Sequence, residues 1–299
     1  MITRFAPSPT GPLHVGHAYS AWIAHDMARA AGGQFLLRIE DIDRQRAKPA
    51  WEAQILDDLA WLGITWDTEP VRQSDRMDVY RTALDVLWDK GLLYSCTCTR
   101  RDIADAMGAP QEGAPMLGPD GLVYPGTCRP DTGAMPCPPR PTHGHLRLNM
   151  ARALRANDRM NRRRAEDAGT LQFLEVGALH RGTVVPPPEA FTQRIGDVVL
   201  ARKDFGTSYH LSVVLDDAAQ GVTHVVRGAD LFEATPIHVM LQRLLGLSTP
   251  IYHHHDLVRD AAGKRLAKRD DARSIASYRQ AGWRADDLRA ALERRLVAP

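Results

Sequence analysis

Near the amino terminus, apolar residues switch between strand-like and helix-like spacing. The segment ITRFA, residues 2–6, is rich in apolar side chains and stops at Pro7, which predicts a short strand. Residues 16–31 carry apolar side chains at helical spacing and precede a Gly-Gly pair, which predicts a helix that ends there. The run QFLLRIED predicts a second strand over about residues 34–40. This order indicates a βαβ unit, so we predict an α/β fold with a Rossmann-like, doubly wound parallel sheet.

Further along the chain, helical patterns alternate with valine-rich runs. Helices are predicted over residues 48–62, 74–90 and 236–246. The valine-rich segment 191–231 predicts strands. Leu288, Leu292 and Leu296 recur every four residues and predict one face of a C-terminal helix.

The composition is that of an ordinary soluble protein. The chain has 299 residues, of which 44% are hydrophobic and 25% are charged, with a formal net charge of +2. No apolar run approaches the ~20 residues that span a bilayer, and the first residues lack a secretory signal pattern. We therefore expect a cytoplasmic enzyme, in which closely spaced cysteines bind metal or do redox chemistry rather than form disulfides.

Basic residues are clustered in two places. One cluster consists of arginines within residues 152–164, and the other lies within residues 259–269. Such clusters can neutralise phosphates. For the 152–164 cluster, a solvated helix face is an equally good interpretation, and the sequence leaves the two open.

The stretch PSPTGPLHVGH places His14 and His17 at the predicted start of the first helix. Two histidines at this spacing could be metal ligands or could cap the helix. Neither role explains why a strand, a proline-rich loop and a helix N-terminus meet here. Unpaired backbone N–H groups favour anions, Gly16 allows close approach to the backbone, and imidazoles can donate hydrogen bonds to phosphate oxygens. We interpret the motif as a clamp on ATP.

The segment HVGH resembles the HIGH motif of class I aminoacyl-tRNA synthetases, and RFAPSPTGPLHVGHA resembles their glutamyl branch. The later segment GKRLAKRDD resembles the KMSKS loop, with Arg265 in place of the first lysine and Ala267 in place of the serine. The resemblance implies His14, His17 and Lys268 as catalytic residues. It also implies an ATP site formed by His14, Gly16, His17, Arg265, Leu266 and Lys268, with Mg²⁺ accompanying the ATP.

The same resemblance implies a glutamate pocket. Arg4 could pair with a carboxylate in fork geometry, and Glu40 follows the second strand, where open α/β sheets bind ligands and where it could accept from the α-ammonium. Tyr209 and Arg227 stand in segments that match pocket positions of the glutamyl family. The implied glutamate-binding residues are Arg4, Phe5, Ala6, Pro7, Ser8, Glu40, Tyr209 and Arg227.

Only 30 residues follow Arg269, too few for the anticodon-binding domain of an ordinary glutamyl-tRNA synthetase. A truncated catalytic domain with a cysteine-rich insertion resembles the glutamyl-queuosine tRNA(Asp) synthetases. This implies ATP, L-glutamate and queuosine-containing tRNA(Asp) as partners, and we expect a monomer. Two alternatives are a short glutamyl-tRNA synthetase that charges tRNA(Glu) and an inactive, zinc-containing RNA-binding module.

Residues 95–145 contain all four cysteines, many Pro and Gly, and little periodicity. Cys96, Cys98 and Cys128 suit a structural zinc, which normally takes four ligands. Spacing alone favours Cys137 as the fourth ligand, because phenolate is an uncommon one, whereas the resemblance implies Tyr124. We predict zinc on Cys96, Cys98, Tyr124 and Cys128, with Cys137 as the alternative to Tyr124 and unligated thiols as the remaining possibility.

The predicted organisation has four parts. A nucleotide-binding catalytic domain is split by the cysteine-rich insertion and is followed by the KMSKS-like loop and a short helical region that contacts the tRNA stem. The predicted boundaries are 1–94, 95–145, 146–245 and 246–299.

Overall fold

A computed structural model describes residues 1–108, 117–130, 139–142, 144–163, 170–259 and 273–294, except for the side chains of 107–108 and 161–163. The strands are Ile2–Phe5 (β1), Gln34–Ile39 (β2), Val71–Arg72 (β3), Leu93–Cys96 (β4), Leu117–Gly118 (β5), Gly121–Leu122 (β6), His145–Leu148 (β7), Phe173–Glu175 (β8), Gly182–Val184 (β9), Val199–Ala201 (β10), His224–Gly228 (β11) and Ile251–His255 (β12). The α-helices are Val15–Ala30 (α1), Pro49–Trp61 (α2), Met77–Asp89 (α3), Arg100–Gly108 (α4), Met150–Arg163 (α5), Tyr209–Ala219 (α6), Thr235–Leu245 (α7), Ile275–Gln280 (α8) and Ala285–Glu293 (α9).

Two sets of parallel strands meet in the middle of the molecule. One set has the order β1–β2–β3, and the other has the order β11–β12–β8 with β9 added antiparallel at its edge. β1 and β11 lie side by side, because the Thr223 N–H donates to the Ile2 carbonyl oxygen at 3.0 Å. From this junction, β1 continues outward to β2 and β11 continues outward to β12. Such a reversal of strand order leaves a crevice at the carboxyl ends of the strands.

Helices cover both faces of the sheet because the side chains of β2 alternate between two cores. Phe35, Leu37 and Ile39 pack with residues of α1, α2, α8 and α9, whereas Leu36 packs with residues of α3, α6 and α7. Leu288 and Leu292 of α9 are buried, in agreement with the predicted helix face, while Leu296 lies outside the described residues. The α/β architecture with a parallel sheet is confirmed.

The valine-rich segment 191–231 is only partly extended. It contains β10 and β11, but between them lies the helix α6, so the prediction of strands is wrong for that part. The Ser208 hydroxyl caps the helix by accepting from the Leu211 N–H at 3.5 Å. The valines of α6 are buried among α3 and α7, and this packing outweighs their modest helix propensity.

A second, antiparallel sheet of order β10–β7–β4 carries the cysteine-rich insertion. The insertion leaves this sheet at Cys96 and returns at His145, and it contains α4 and the β5–β6 hairpin. β12 lies within the predicted C-terminal part, 246–299, yet it is a strand of the parallel sheet. None of the helices in the described residues is long and apolar enough to cross a lipid bilayer.

Candidate active site at the strand junction

A cavity of about 360 Å³ lies at the junction, bounded by the ends of β1 and β11 and by the start of α1. Its lining contains every sequence-predicted glutamate and ATP residue in the described part of the chain: Arg4, Phe5, Ala6, Pro7, Ser8, His14, Gly16, His17, Glu40, Tyr209 and Arg227. Residues that are over 200 positions apart in the chain therefore line one cavity. The hydrogen bond from the Ile2 N–H to the Thr223 hydroxyl, 221 positions later, joins the same two parts of the chain.

The predicted KMSKS-like residues Arg265, Leu266 and Lys268 lie outside the described residues. The residues that flank this segment do reach the site. Val258 lines the cavity, and Ser274 forms an isolated antiparallel bridge with His14.

His14 and His17 cap the first helix reciprocally. The Gly16 N–H donates to His14 Nδ1 at 3.1 Å, and the His14 N–H donates to His17 Nδ1 at 3.1 Å. The two histidines therefore do cap the helix, which is one of the roles that the sequence allowed. Because both Nδ1 atoms accept, the proton of each neutral ring is on Nε2, and an Nε2–H group can donate to an anion. Capping and anion binding are therefore compatible roles.

Arg4 is buried beside the cavity and pairs with a carboxylate of the protein itself. Its Nε–H donates to Asp217 Oδ1 at 2.9 Å, and two further bonds go to Asp217 Oδ2 and to the Val226 carbonyl. These contacts use three of the five N–H groups of a guanidinium. The remaining two are what Arg4 can offer to a ligand in the cavity.

Asp217 is shared between two arginines. Arg38, fully buried in β2, donates to Asp217 Oδ1 at 2.7 Å and to Glu40 Oε1 at 3.4 Å. Two cations and two carboxylates thus form one buried ionic network. Despite its burial, the pKa of Asp217 is lowered, because Arg38 and Arg4 stabilise the carboxylate.

Glu40 is the carboxylate of this network that faces the cavity. Burial raises the pKa of Glu40, although Arg38 and Arg4 lower it in part. A bound ammonium group would add a further positive charge and favour the ionised carboxylate. Glu40 is therefore poised to accept from a cationic ligand group.

Arg227 is buried on the other side of the junction and has different partners. Its Nε–H donates to His254 Nε2 at 3.0 Å, and its terminal nitrogens contact Thr235 Oγ1 at 2.8 Å and His238 Nδ1 at 3.1 Å. Among the described residues, no carboxylate lies within ion-pair distance of Arg227. This buried cation is consequently suited to an anionic ligand group.

His254 connects Arg227 to a buried carboxylate. Its Nδ1 lies 2.5 Å from Glu175 Oε2, while its Nε2 accepts from Arg227. Burial and the charge of Arg227 lower the pKa of His254 to about 4, so the ring is neutral near pH 7. Burial likewise lowers the pKa of His238 well below its usual range. Both imidazoles thus act as neutral acceptors that fix the guanidinium.

Sequence reasoning did not identify the residues that hold Arg4 and Arg227 in place. These are Arg38, Asp217, Glu175, His238 and His254. The available signal is a charged or imidazole side chain inside an otherwise apolar run, such as Arg38 in QFLLRI and Asp217 in VVLDDAA. Such residues are almost never fully buried without a partner, so they indicate an internal network.

Tyr209 lines two cavities. The second cavity, of about 590 Å³, lies between the catalytic sheet and the insertion, and its lining includes Arg147, Asp197 and Arg202. Asp197 ties the two regions together by accepting from the Tyr94 hydroxyl at 2.5 Å and the Arg129 Nε–H at 2.6 Å. The insertion is thus anchored next to the site.

The predicted metal ligands are close together. The sulfur atoms of Cys96, Cys98 and Cys128 all lie within 4.8 Å of one another, and Cys98 Sγ is 3.5 Å from Cys128 Sγ. The Tyr124 hydroxyl lies 3.5 Å from Cys96 Sγ and 3.4 Å from Cys98 Sγ. Cys137, the alternative ligand, lies outside the described residues.

These four groups fit a tetrahedral ion. Zinc–sulfur bonds of about 2.3 Å place sulfur atoms about 3.8 Å apart, close to the spacing seen here. A hydrogen bond with Tyr124 lowers the pKa of Cys128 to about 6, so this thiol is ionised near pH 7, as a metal ligand must be. The donor set is thus compatible with a metal, and thiolates are ligands that zinc accepts.

The arginine cluster at 152–164 lies on α5 as far as it is described. Arg155 and Arg159 are exposed, whereas Arg152 is half-buried and donates to the Gly91 carbonyl at 3.1 Å. Exposed arginines suit both a phosphate contact and a solvated face, so both interpretations stay open.

Comparison with known proteins identifies the family. The sequence model described as the catalytic domain of class I tRNA synthetases (E and Q) matches residues 1–116 and 176–299. The glutamyl-Q tRNA(Asp) synthetase of Rhodobacter capsulatus is 64% identical over 293 residues, which cover 97% of this chain and 98% of that protein. The chain belongs to the class I tRNA synthetases of the E and Q type. The enzyme of the same name from Geobacter sulfurreducens is 40% identical over 93% of this chain and 79% of its own length.

Solved structures agree with this synthetase fold. A crystal structure of a glutamate tRNA ligase from Elizabethkingia meningosepticum, in complex with its amino acid, superposes with a TM-score of 0.72 at 24% identity. The match covers 98% of this chain and 60% of the ligase. A methionyl-tRNA synthetase from Mycobacterium tuberculosis, bound by methionyl-adenylate, has a TM-score of 0.56 at 11% identity. At these identities the likeness concerns the fold.

Proposed function

We propose that this synthetase activates L-glutamate with ATP and transfers it to the queuosine base of tRNA(Asp). One observation carries the proposal: a single cavity joins a helix start bearing the HVGH motif to a pocket with buried arginines and one carboxylate. The 64% identity to a relative named glutamyl-Q tRNA(Asp) synthetase supports the choice of acceptor.

In the proposed site, the two ends of glutamate meet opposite charges. Arg227, which pairs with no carboxylate in the described part of the chain, and the remaining N–H groups of Arg4 bind the side-chain carboxylate. Glu40 accepts from the α-ammonium, and the Tyr209 hydroxyl lies beside it in the lining. The residues Phe5 to Ser8 complete the wall. An amino acid with an uncharged side chain would leave a buried cation unpaired, which is costly.

In the first step, an oxygen of the glutamate α-carboxylate attacks the α-phosphorus of ATP. The bond to the bridging oxygen breaks, which gives glutamyl-adenylate and pyrophosphate. His14 and His17 donate Nε2–H bonds to phosphate oxygens, and Lys268 contacts the triphosphate together with Arg265 and Leu266. Positioning and charge stabilisation supply the catalysis, so no protein nucleophile is needed.

In the second step, a hydroxyl of the queuosine cyclopentenediol attacks the activated carbonyl carbon. An ester forms, AMP leaves, and the hydroxyl proton is released. Mg²⁺ accompanies the triphosphate, and a zinc ion on Cys96, Cys98, Tyr124 and Cys128 stabilises the insertion. A metal analysis of protein purified without chelators tests the zinc.

The decisive experiment is an incubation of the purified chain with labelled glutamate, ATP and queuosine-containing tRNA(Asp). After nuclease digestion, we expect the label on the anticodon-loop fragment. The matched control is tRNA(Asp) from cells that cannot make queuosine, which should accept no label. Glutamate-dependent ATP–pyrophosphate exchange, hereafter called exchange, measures the first step alone.

Two results would contradict the proposal in different ways. Label on the 3′-terminal fragment, with tRNA(Glu) as the preferred acceptor, would identify a short glutamyl-tRNA synthetase instead. Absence of exchange, both with and without tRNA, would point to an inactive RNA-binding module.

A further inference from the structure

His255 lines the cavity at the carboxyl end of β12. It lies opposite Gly228 of β11 in the sheet register. Because the strands run in the order β2, β1, β11 and β12, His255 is on the far side of β11 from Glu40. It therefore belongs to a part of the cavity that the proposed glutamate contacts do not use.

The side chain of His255 has a fixed hydrogen-bonding direction. Its Nδ1 lies 2.9 Å from the Asp256 carbonyl oxygen. A carbonyl oxygen can only accept, so Nδ1 carries the proton and Nε2 of the neutral ring has a lone pair. Burial lowers the pKa of His255, which keeps the ring in this neutral form near pH 7.

The Nε2 atom of His255 is buried without a hydrogen-bond partner in the described structure. The residue is only 8% exposed, and the edge of the Tyr19 ring packs against the imidazole at a centroid distance of 5.2 Å. A buried polar atom without a partner costs free energy, and in native proteins such an atom is usually satisfied by an ordered water, an ion or a ligand. The lone pair requires a donor.

The neighbours of His255 indicate what that donor belongs to. Leu257 and Val258 line the same part of the cavity and offer apolar surface. Asp230 also lies at this end, because its carboxylate and the Leu257 side chain both approach Gly228, the register partner of His255. Arg4 and Glu40 lie on the other side of β11. A flat base can pack against Leu257 and Val258, and adenine carries an exocyclic amino group.

We infer that His255 Nε2 accepts a hydrogen bond from the 6-amino group of adenine and thereby selects ATP. The inference rests on the proposed function, because it assumes that the cavity binds ATP. Guanine and hypoxanthine carry a carbonyl oxygen at this position, which would face the lone pair with another acceptor. His255 is in this sense a specificity-determining residue.

The test compares nucleotides that differ by single groups. Dissociation constants for ATP, purine riboside 5′-triphosphate and 2′-deoxy-ATP are measured by calorimetry on the full chain, without glutamate. Purine riboside triphosphate lacks only the 6-amino group. The wild type should prefer ATP over it by about tenfold, the size of one net hydrogen bond. In His255→Leu this preference should disappear, while the ratio of the dissociation constants for ATP and 2′-deoxy-ATP stays unchanged.

The matched control is His253→Leu, which makes the same change on the same strand outside the cavity lining and should keep the tenfold preference. His255→Gln, which keeps a carbonyl acceptor, should retain part of it. A wild-type preference below about twofold, or an undiminished preference in His255→Leu, overturns the inference. So does a collapse of the 2′-deoxy-ATP ratio, which would make a ribose hydroxyl the donor. Wild-type binding of ATP without exchange would instead refute the proposed function.

Discussion

The cavity at the strand junction and the cysteine cluster in the insertion are two polar sites that are stabilised in different ways. In the cavity, Arg4, Arg38, Asp217 and Glu40 neutralise one another and are held by hydrogen bonds of the protein itself. In the cluster, three thiols and a phenol lie close together with few apolar neighbours.

This difference indicates how each site depends on its surroundings. The charged side chains of the cavity are held by partners within the protein, and preorganisation of this kind lowers the cost of binding. The cluster gathers groups whose ionised forms repel one another, so a bound cation would stabilise it most. Changes in one region should therefore leave the other largely intact, and the following experiments test this separation.

The largest expected effect is on stability, from Asp217→Asn. The change leaves Arg4 and Arg38 with one fewer buried carboxylate, which should lower the free energy of unfolding by about 3–5 kcal/mol. Urea denaturation measures the loss. The matched control is Asp57→Asn, which removes an exposed ion pair with Arg279 and should cost below about 1 kcal/mol. Equal losses in both variants would contradict the role of the network.

The next effect separates capping from catalysis in the HVGH motif. Asparagine is a good N-cap residue but lacks the Nε2–H donor, so His14→Asn should lower exchange by about 10²–10³-fold with little loss of stability. His14→Ala should lose the same activity and, in addition, about 1 kcal/mol of stability. Exchange in His14→Asn within a few fold of wild type would show that His14 acts only as a cap.

A third experiment acts on the insertion alone. Cys128→Ser removes a thiolate ligand, so the metal content should fall and proteolysis within residues 95–145 should become faster. Because the glutamate cavity is supported separately, exchange should fall by less than about threefold. Elemental analysis, limited proteolysis and exchange measure the three quantities. A loss of exchange as large as that in His14→Asn would show that the two regions are not independent.

The last effect concerns pH. Because the ionised form of Glu40 accepts from the ammonium and burial raises its pKa, kcat/KM for glutamate should fall as pH decreases from 7 towards 5. Glu40→Gln should flatten this profile and raise KM by about 10-fold or more. The pH dependence of stability has the opposite sign. Because the pKa of Glu40 is higher in the folded than in the unfolded protein, Glu40 contributes stability at low pH, and this contribution is lost as pH rises through the folded-state pKa. A profile unchanged in Glu40→Gln would exclude this role.

The parts of the fold that were predicted correctly are those in which the spacing of apolar residues and the position of glycine indicate the same element. The run QFLLRIED alternates between two cores and the preceding helix ends at glycines, so β2 and α1 were predictable. The helix α6 was not, because its valines favour strands and only packing on both sides makes the helix stable. Local patterns do not contain that packing.

The same division applies to the site. Arg4, Glu40 and the histidines follow recognisable motifs, and the structure places them around one cavity. The proposed role of Arg227 depends on its pairing with neutral groups, His254 and Thr235 from other elements, rather than with a carboxylate of the described residues. Long-range partners of this kind are set by topology, which a single sequence does not reveal.

The meeting of β1 with β11 has a consequence for the growing polypeptide. β1 pairs with β2 soon after both are made, yet its second neighbour, β11, follows only some 220 positions later, as the hydrogen bond between Ile2 and Thr223 shows. During translation at roughly 5–20 residues per second, the edge of β1 that faces β11 therefore stays unpaired until most of the chain has emerged. Tight retention of ATP by ribosome-bound nascent chains should consequently begin only after residue 228 has left the exit tunnel.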